Sequence, residues 1–346
     1  MAEQTPLAAV DVGSNTIHLV VAHPTEDGGD LITLADVLDL TRLGEDVSAT
    51  GAIGPERTAR AISVLREYAA EAKSLGAKEL LAIATEGVRA AANADDFLAQ
   101  VRDETGITLQ VITGEQEAAL TYWGATSGLP VVAEQRRAVL DLGGGSMEVV
   151  IGEGSRIQWR SSLPLGSGAM HAHYAPSDPP RAAELDQVRR VTTEQLAALH
   201  APLPIARVIA CGGTATTLTM LATRALHIPE PEDLATGEEA PSLDVLNAPN
   251  ADGTRLGLLT RDQLEALAAL LMATPAALLT ERYEIPHARA VILGAGEAVL
   301  QAVVEQLGAD ALSISRRGVR EGAILARLHA GDAWLDAATA GTGWES

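Results

Sequence analysis

A chain of 346 residues has the length for two domains, each with a core of its own. Hydrophobic residues at 47% and charged residues at 21% exclude a wholly disordered chain, and no apolar run reaches the ~18 residues that span a bilayer. A formal charge of −21 argues against non-specific binding to nucleic acid or to an anionic membrane, so a polyanionic substrate has to be met by local donors or a metal.

The chain opens MAEQTPLAAVDVG, polar residues before one short apolar run without a basic leader, and a cytoplasmic setting is expected. The segment Ala9–Val21, AVDVGSNTIHLVV, reads as a strand, a tight turn and a returning strand. It recurs without a gap at Val139–Ile151, VLDLGGGSMEVVI, with Asp11 and Asp141 130 positions apart. Two such hairpins, each opening a stretch of domain size, predict a duplicated α/β fold whose polar tips face across a cleft. In the tips Gly13-Ser14-Asn15-Thr16 and Gly143-Gly144-Gly145-Ser146, successive N–H groups and short side-chain donors can turn toward an anion. Such a concavity binds phosphate without net positive charge.

Between the hairpins, residues 31–50 suggest further strands, and Gly54-Pro55 leads into an amphipathic helix through Ser74, its apolar residues spaced three to four apart. A buried strand is expected at Glu79–Thr85, followed by Arg89, placed either to lean into a cleft or to lie solvated at a helix start. A helix near 93–104 and a strand near 107–112 precede a helix that opens with Glu115 and Glu117. Acidic residues suit the positive end of a helix dipole, and one of the two could equally be a general base.

Beyond the second hairpin, LPLGSG leads into a helical region through about 200, and Arg207–Leu218 reads as strand, Gly-rich turn and helix. Residues 228–255 are rich in Pro, Glu, Asp and Gly and are expected to form a surface excursion. Arg289–Glu297 again reads as strand, Gly turn and helix, Gly318–Leu328 as an amphipathic helix, and the stretch after Gly331 as a flexible tail. Cys211 is the only cysteine, so no intramolecular disulfide exists, and its apolar flank VIACGG suits a buried small residue. His171 and His173 lack a third ligand nearby. Motifs of P-loop, zincin and serine-hydrolase type are missing.

Read in order, DVGSNTIHLVV, ATEGVRAAAN, ITGEQEAALTYWG, DLGGGSMEVVIG, LPLGSG, GGTATTL and GVREGAIL resemble the exopolyphosphatase / guanosine pentaphosphate phosphohydrolase (Ppx/GppA) family over roughly residues 7–330. The resemblance implies an actin/Hsp70/sugar-kinase-like (ribonuclease H-like) fold: domain I over 1–125, domain II over 126–314, a helix at about 315–330 packing back on domain I, and a tail over 331–346. It resembles the short two-domain form and implies hydrolysis of terminal phosphoanhydride bonds of inorganic polyphosphate, or of guanosine pentaphosphate. A kinase of the same architecture and a catalytically silent sensor are the rivals. The resemblance further implies Glu117 as catalytic base, Asp141 as the residue that holds Mg2+ or Mn2+, and Glu148 as the second acidic residue. It implies Ser14, Asn15, Thr16, Arg89 and Gly143, Gly144, Gly145 and Ser146 as phosphate-binding residues, and homodimers as the family habit. Two departures stand out: His18 where many members carry Arg, and Ala288-Arg289-Ala290 where Arg-Ala-Asp is usual.

Overall fold

The computed structural model describes residues 5–26, 28–129, 135–199, 201–202, 204–226, 257–341 and 343. The expected excursion at 228–255 lies outside them. The chain divides into two compact units. Unit 1 comprises Met1–Gly128, Ser155–Arg160 and Arg317–Ser346, and unit 2 comprises Leu129–Gly154 and Ser161–Arg316. Set beside the expected 1–125 and 126–314, the chief difference is Ser155–Arg160, a short segment that packs with unit 1.

Unit 1 is built on β1 (Leu7–Val12), β2 (Ile17–Pro24), β3 (Leu31–Asp39), β4 (Leu80–Ala84) and β5 (Gln110–Val111), ordered β3-β2-β1-β4-β5. β1 pairs antiparallel with β2 and parallel with β4, a central position that explains why LAAVDV is apolar almost without interruption. α2 (Pro55–Ser74) and the helix Val319–Ala330 pack on β1 and β2. Val10, Val12, Leu19, Leu65 and Phe97 join one buried cluster in this unit. α5 (Gly114–Thr126) crosses Val319–Ala330 so closely that a Cβ on Gly124 or Gly322 would overlap backbone of the facing helix, at Gly318 and Leu120 respectively. Arg317 fixes the returning chain, donating to Asp30, to Ser127 Oγ at 2.9 Å and to the Leu31 carbonyl at 2.8 Å.

Unit 2 repeats the plan. β6 (Arg137–Leu142), β7 (Met147–Glu153), β8 (Arg156–Leu163), β9 (Arg207–Cys211), β10 (Gly257–Thr260) and β11 (Ala311–Ile314) form a sheet ordered β10-β11-β9-β6-β7-β8. β6 pairs antiparallel with β7 and parallel with β9, as β1 does with β2 and β4. The registers correspond as well: Asp11 faces His18 and Asp141 faces Glu148. The duplication seen in the letters is therefore a duplication of strand order and pairing.

Three expectations need correction. Leu43–Thr50, inside the stretch expected to hold strands, is helix α1. Arg289–Glu297, expected to be strand, turn and helix, lies inside one helix, His287–Gln306. Its glycines serve close packing: a Cβ on Gly294 would press on Pro180, and one on Gly296 on Thr214 and Ser167. The residues after Gly331, expected to be a flexible tail, include the helix Trp334–Ala340, with Trp334 and Ala338 buried. Their apolar spacing covers only two turns, too short for periodicity to declare itself.

Candidate active site

Each hairpin tip closes in the same way. Gly13 N–H donates to the Thr16 carbonyl at 2.9 Å, and Gly143 N–H donates to the Ser146 carbonyl at 3.0 Å. The next carbonyls are bonded from behind. In unit 1, Gly44 donates to Ser14 O at 2.7 Å and Arg42 to Asn15 O at 2.9 Å. In unit 2, Ala169 donates to Gly144 O at 2.9 Å and Gly166 to Gly145 O at 3.3 Å. With the carbonyls turned back into the protein, the intervening amides are the polar groups left to face an anion. The second tip is buttressed further by Ser167, whose N–H and Oγ both donate to Gly143 O, at 2.9 and 3.1 Å, and whose Oγ accepts from Thr214 at 3.1 Å.

In unit 1, α3 (Glu86–Arg89) follows β4 and runs beside the first tip: a Cβ on Gly87 would lie 2.6 Å from Ser14 Cα. Arg89 donates to the Ile112 carbonyl at 2.6 Å and to Glu86 at 2.6 Å, and its guanidinium lies 3.4 Å from the Glu117 carboxylate. Arg89 and Glu117, far apart in sequence, thus meet on one side of unit 1. Glu117 occupies the first turn of α5, which Thr113 and Gln116 close as a capping box. Its side chain is 14% exposed.

In unit 2, Asp141 is the penultimate residue of β6 and pairs in register with Glu148 and Cys211. Helix α8 (Gly212–Ala225) begins directly beside it, and the approach depends on Gly212. That residue has φ +90°, and a Cβ there would lie 3.0 Å from Asp141 Oδ1. Glu148 is buried, with Oε1 accepting from Ser146 Oγ and Ser162 Oγ, each at 2.8 Å. Ser146 thereby links a phosphate-type loop to the second acidic residue. Ser162 was not among the candidate residues, because a serine on an ordinary strand carries no sequence signal of its partner.

Arg289 also enters the site only through the structure. Its guanidinium lies over Gly213 near the N-terminus of α8, 3.4 Å from Thr217 Oγ1, and forms no ion pair among the described residues. Burial lowers its pKa, the mark of a cation without a counter-charge. The charge missing at position 18 has a counterpart too. His18 Nε2 lies 2.5 Å from Asp36, which also accepts from the buried Arg320 at 2.9 Å. Burial and then the Arg320 charge lower the His18 pKa, while burial of Asp36 is outweighed by His18 and Arg320, which hold its carboxyl well below the usual range. Burial and Arg320 thus favour the neutral form of His18, and Arg320 is the fixed cation of this cluster.

Comparison with known proteins adds to this geometry. Residues 20–330 match the profile of the Ppx/GppA phosphatase family. This chain belongs to that family. It is 32% identical to exopolyphosphatase 1 of Mycobacterium tuberculosis, over 93% of this chain and 88% of that protein. It is 31% identical to exopolyphosphatase 2 of the same organism, over 93% of this chain and 98% of that protein. Among solved structures, the Ppx/GppA family member of Aquifex aeolicus superposes with a TM-score of 0.75 at 26% identity, covering 95% of this chain and 99% of that one. The α/β fold is accordingly that of the Ppx/GppA family, with its actin-like pair of duplicated domains.

Proposed function

We propose that this chain is an exopolyphosphatase, a phosphoanhydride hydrolase that releases terminal orthophosphate from inorganic polyphosphate. The observation that carries this reading is the repeated tip, residues 13–16 and 143–146, closed by the same hydrogen bond with its carbonyls bonded from behind. The kinship with proteins named exopolyphosphatase supports it. A chain of charge −21 that acts on a polyanion needs donors of this kind, because its long-range field opposes the substrate.

The roles follow from residue chemistry. Ser14, Asn15 and Thr16, with Gly143 to Ser146, bind phosphate oxygens through amides and hydroxyls. Glu117 orients and deprotonates the attacking water, a role typically worth about 10²–10⁴ in rate. Arg89, 3.4 Å from Glu117, supplies a positive charge for the phosphate chain. Glu148 uses its bonds to Ser146 and Ser162 to fix the loop and to orient water.

The donor set suits Mg2+ or Mn2+. No cluster of three or more metal-ligating side chains occurs among the described residues. Asp141 instead offers a single carboxylate against the close backbone of Gly212, with no side chain between them. Mg2+ is commonly held by one or two carboxylates together with substrate phosphates, and Asp141 would hold it here. When bound, the ion supplies charge neutralisation at the phosphoryl oxygens.

The test is orthophosphate release with Mg2+ or Mn2+ from short polyphosphate, long polyphosphate, guanosine pentaphosphate and ATP. Release from polyphosphate is expected to fall at least about 10²-fold in Glu117→Gln while binding of the polymer persists. Faster release from guanosine pentaphosphate than from either polyphosphate would reassign the substrate. Binding without release from any of them would make the protein a sensor.

A further inference from the structure

The residues on either side of Glu117 are tied to the C-terminal end of the chain. Glu115 Oε2 accepts from Arg160 at 3.0 Å. Gln116 Nε2 donates to Thr339 Oγ1 at 3.0 Å and to the Leu335 carbonyl at 3.4 Å. Arg160 also reaches the end of the helix Trp334–Ala340, donating to the carbonyls of Ala338 at 2.8 Å and Thr339 at 2.6 Å. A guanidinium there satisfies carbonyls that have no partner within the helix and complements its negative end. Arg160 is only 15% exposed and its bond to the Ala338 carbonyl is half-buried, whereas its partner Glu115 is 72% exposed. Farther along α5, Trp123 Nε1 donates to the Ser155 carbonyl at 2.7 Å, and Ile157 N–H donates to the Gly341 carbonyl at 3.3 Å.

From this network we infer that Arg160 and the helix Trp334–Ala340 position the general base, holding the first turn of α5 so that Glu117 keeps its place beside Arg89. The first turn of a helix is where its own hydrogen bonds run out, and it frays unless something outside it is bonded to it. Here Gln116 closes the capping box with one end of its amide and grips Thr339 with the other, while Arg160 holds Glu115. Arg89, braced on Ile112 and Glu86, meets the Glu117 carboxylate itself. The base is fixed at its backbone by one set of contacts and at its carboxylate by the other. A general base displaced by about 1 Å can lose ~10²-fold in rate, so contacts that never touch substrate acquire leverage over turnover.

The inference rests on Glu117 being the base, and the experiment separates the two. Polyphosphate hydrolysis by the full-length protein is compared in Arg160→Ala, Arg160→Lys and Thr339→Val, with Glu117→Gln alongside and thermal midpoints recorded for all. Arg160→Ala is expected to lower kcat about tenfold or more with KM for polyphosphate within about twofold, measured well below the midpoint. Arg160→Lys should restore part of that loss, since an ammonium can still bond a helix-end carbonyl. Thr339→Val, nearly isosteric, should lower kcat by a smaller factor. An unchanged kcat in folded Arg160→Ala, or an equal rise in KM and fall in kcat/KM with kcat intact, overturns the inference. Should Arg160→Ala fail to fold, Thr339→Val decides by the same criterion. Full activity in Glu117→Gln would instead remove the assignment of the base, whatever the Arg160 variants do.

Discussion

Glu297 is fully buried on the helix His287–Gln306, and neither carboxylate oxygen has a hydrogen-bond partner. Burial pushes its pKa up to about 8, with Arg189 opposing weakly and Glu305 and Glu265 adding a little. An acid that holds its proton in the fold but loses it near its ordinary value of 4.5 when unfolded makes folding take up a proton. Stability from this group therefore falls as pH climbs from about 4.5 towards 8 and stays low above that. The difference reaches about 3 kcal/mol at neutral pH. Glu297→Leu is expected to raise the denaturation midpoint at pH 7.5 and to change it little at pH 4.5. Equal shifts at both pH values would show that packing, and not ionisation, sets the effect. Nothing in GAGEAVL announces this residue: an isolated Glu in an apolar run looks like an exposed position until the helix is seen to be covered by its neighbours.

At the scale of elements, glycine decides how closely two backbones meet. Gly124 and Gly322 let α5 and the helix Val319–Ala330 cross in near contact, and the crossing carries the helix that bears Glu117. Gly322→Val forces these helices apart at a cost of about 1–3 kcal/mol or more, and is expected to lower the thermal midpoint and, with it, kcat. Gly212→Ala is a more local change. It strains a residue at φ +90° and crowds Asp141, so under the proposed role of Asp141 as metal holder, turnover should need a higher Mg2+ concentration while the midpoint falls only modestly. Glycines were also where reading the sequence succeeded and failed. Gly143 to Gly145 make a turn, as their flanking strands predict, whereas Gly294 and Gly296 sit in a helix because what they need is room for Pro180, Thr214 and Ser167. That need belongs to tertiary packing and leaves no trace within a window of neighbouring residues. The same reason hid the helix Trp334–Ala340, a two-turn segment held by burial of Trp334 and Ala338 and by bonds from Arg160 and Gln116.

For the whole molecule, the repeat at a spacing of 130 residues was the feature legible from the start, because each hairpin is a local object whose strands and turn are contiguous in sequence. The equivalence of His18 and Glu148 within it marks where the halves diverged: one position serves a hydrogen bond to Asp36, the other an acid held by two serines. The net charge has a kinetic consequence. Repulsion between a chain of −21 and a long polyanion weakens as salt screens it, so KM for long polyphosphate is expected to fall as tetramethylammonium chloride rises from about 10 to 150 mM. A KM that rises instead would mean that local cationic contacts outweigh the overall field. The single cysteine offers a view of the same site that needs no turnover. Cys211 is buried at the end of β9, in register with Asp141 and immediately before Gly212. A thiol reagent thus has one address in the entire chain, and its reaction rate is a clock for how often that strand end opens to solvent. If phosphate and Mg2+ close around Asp141, they should slow that clock, and an unmodified enzyme would report its own ligand without a label being engineered into it.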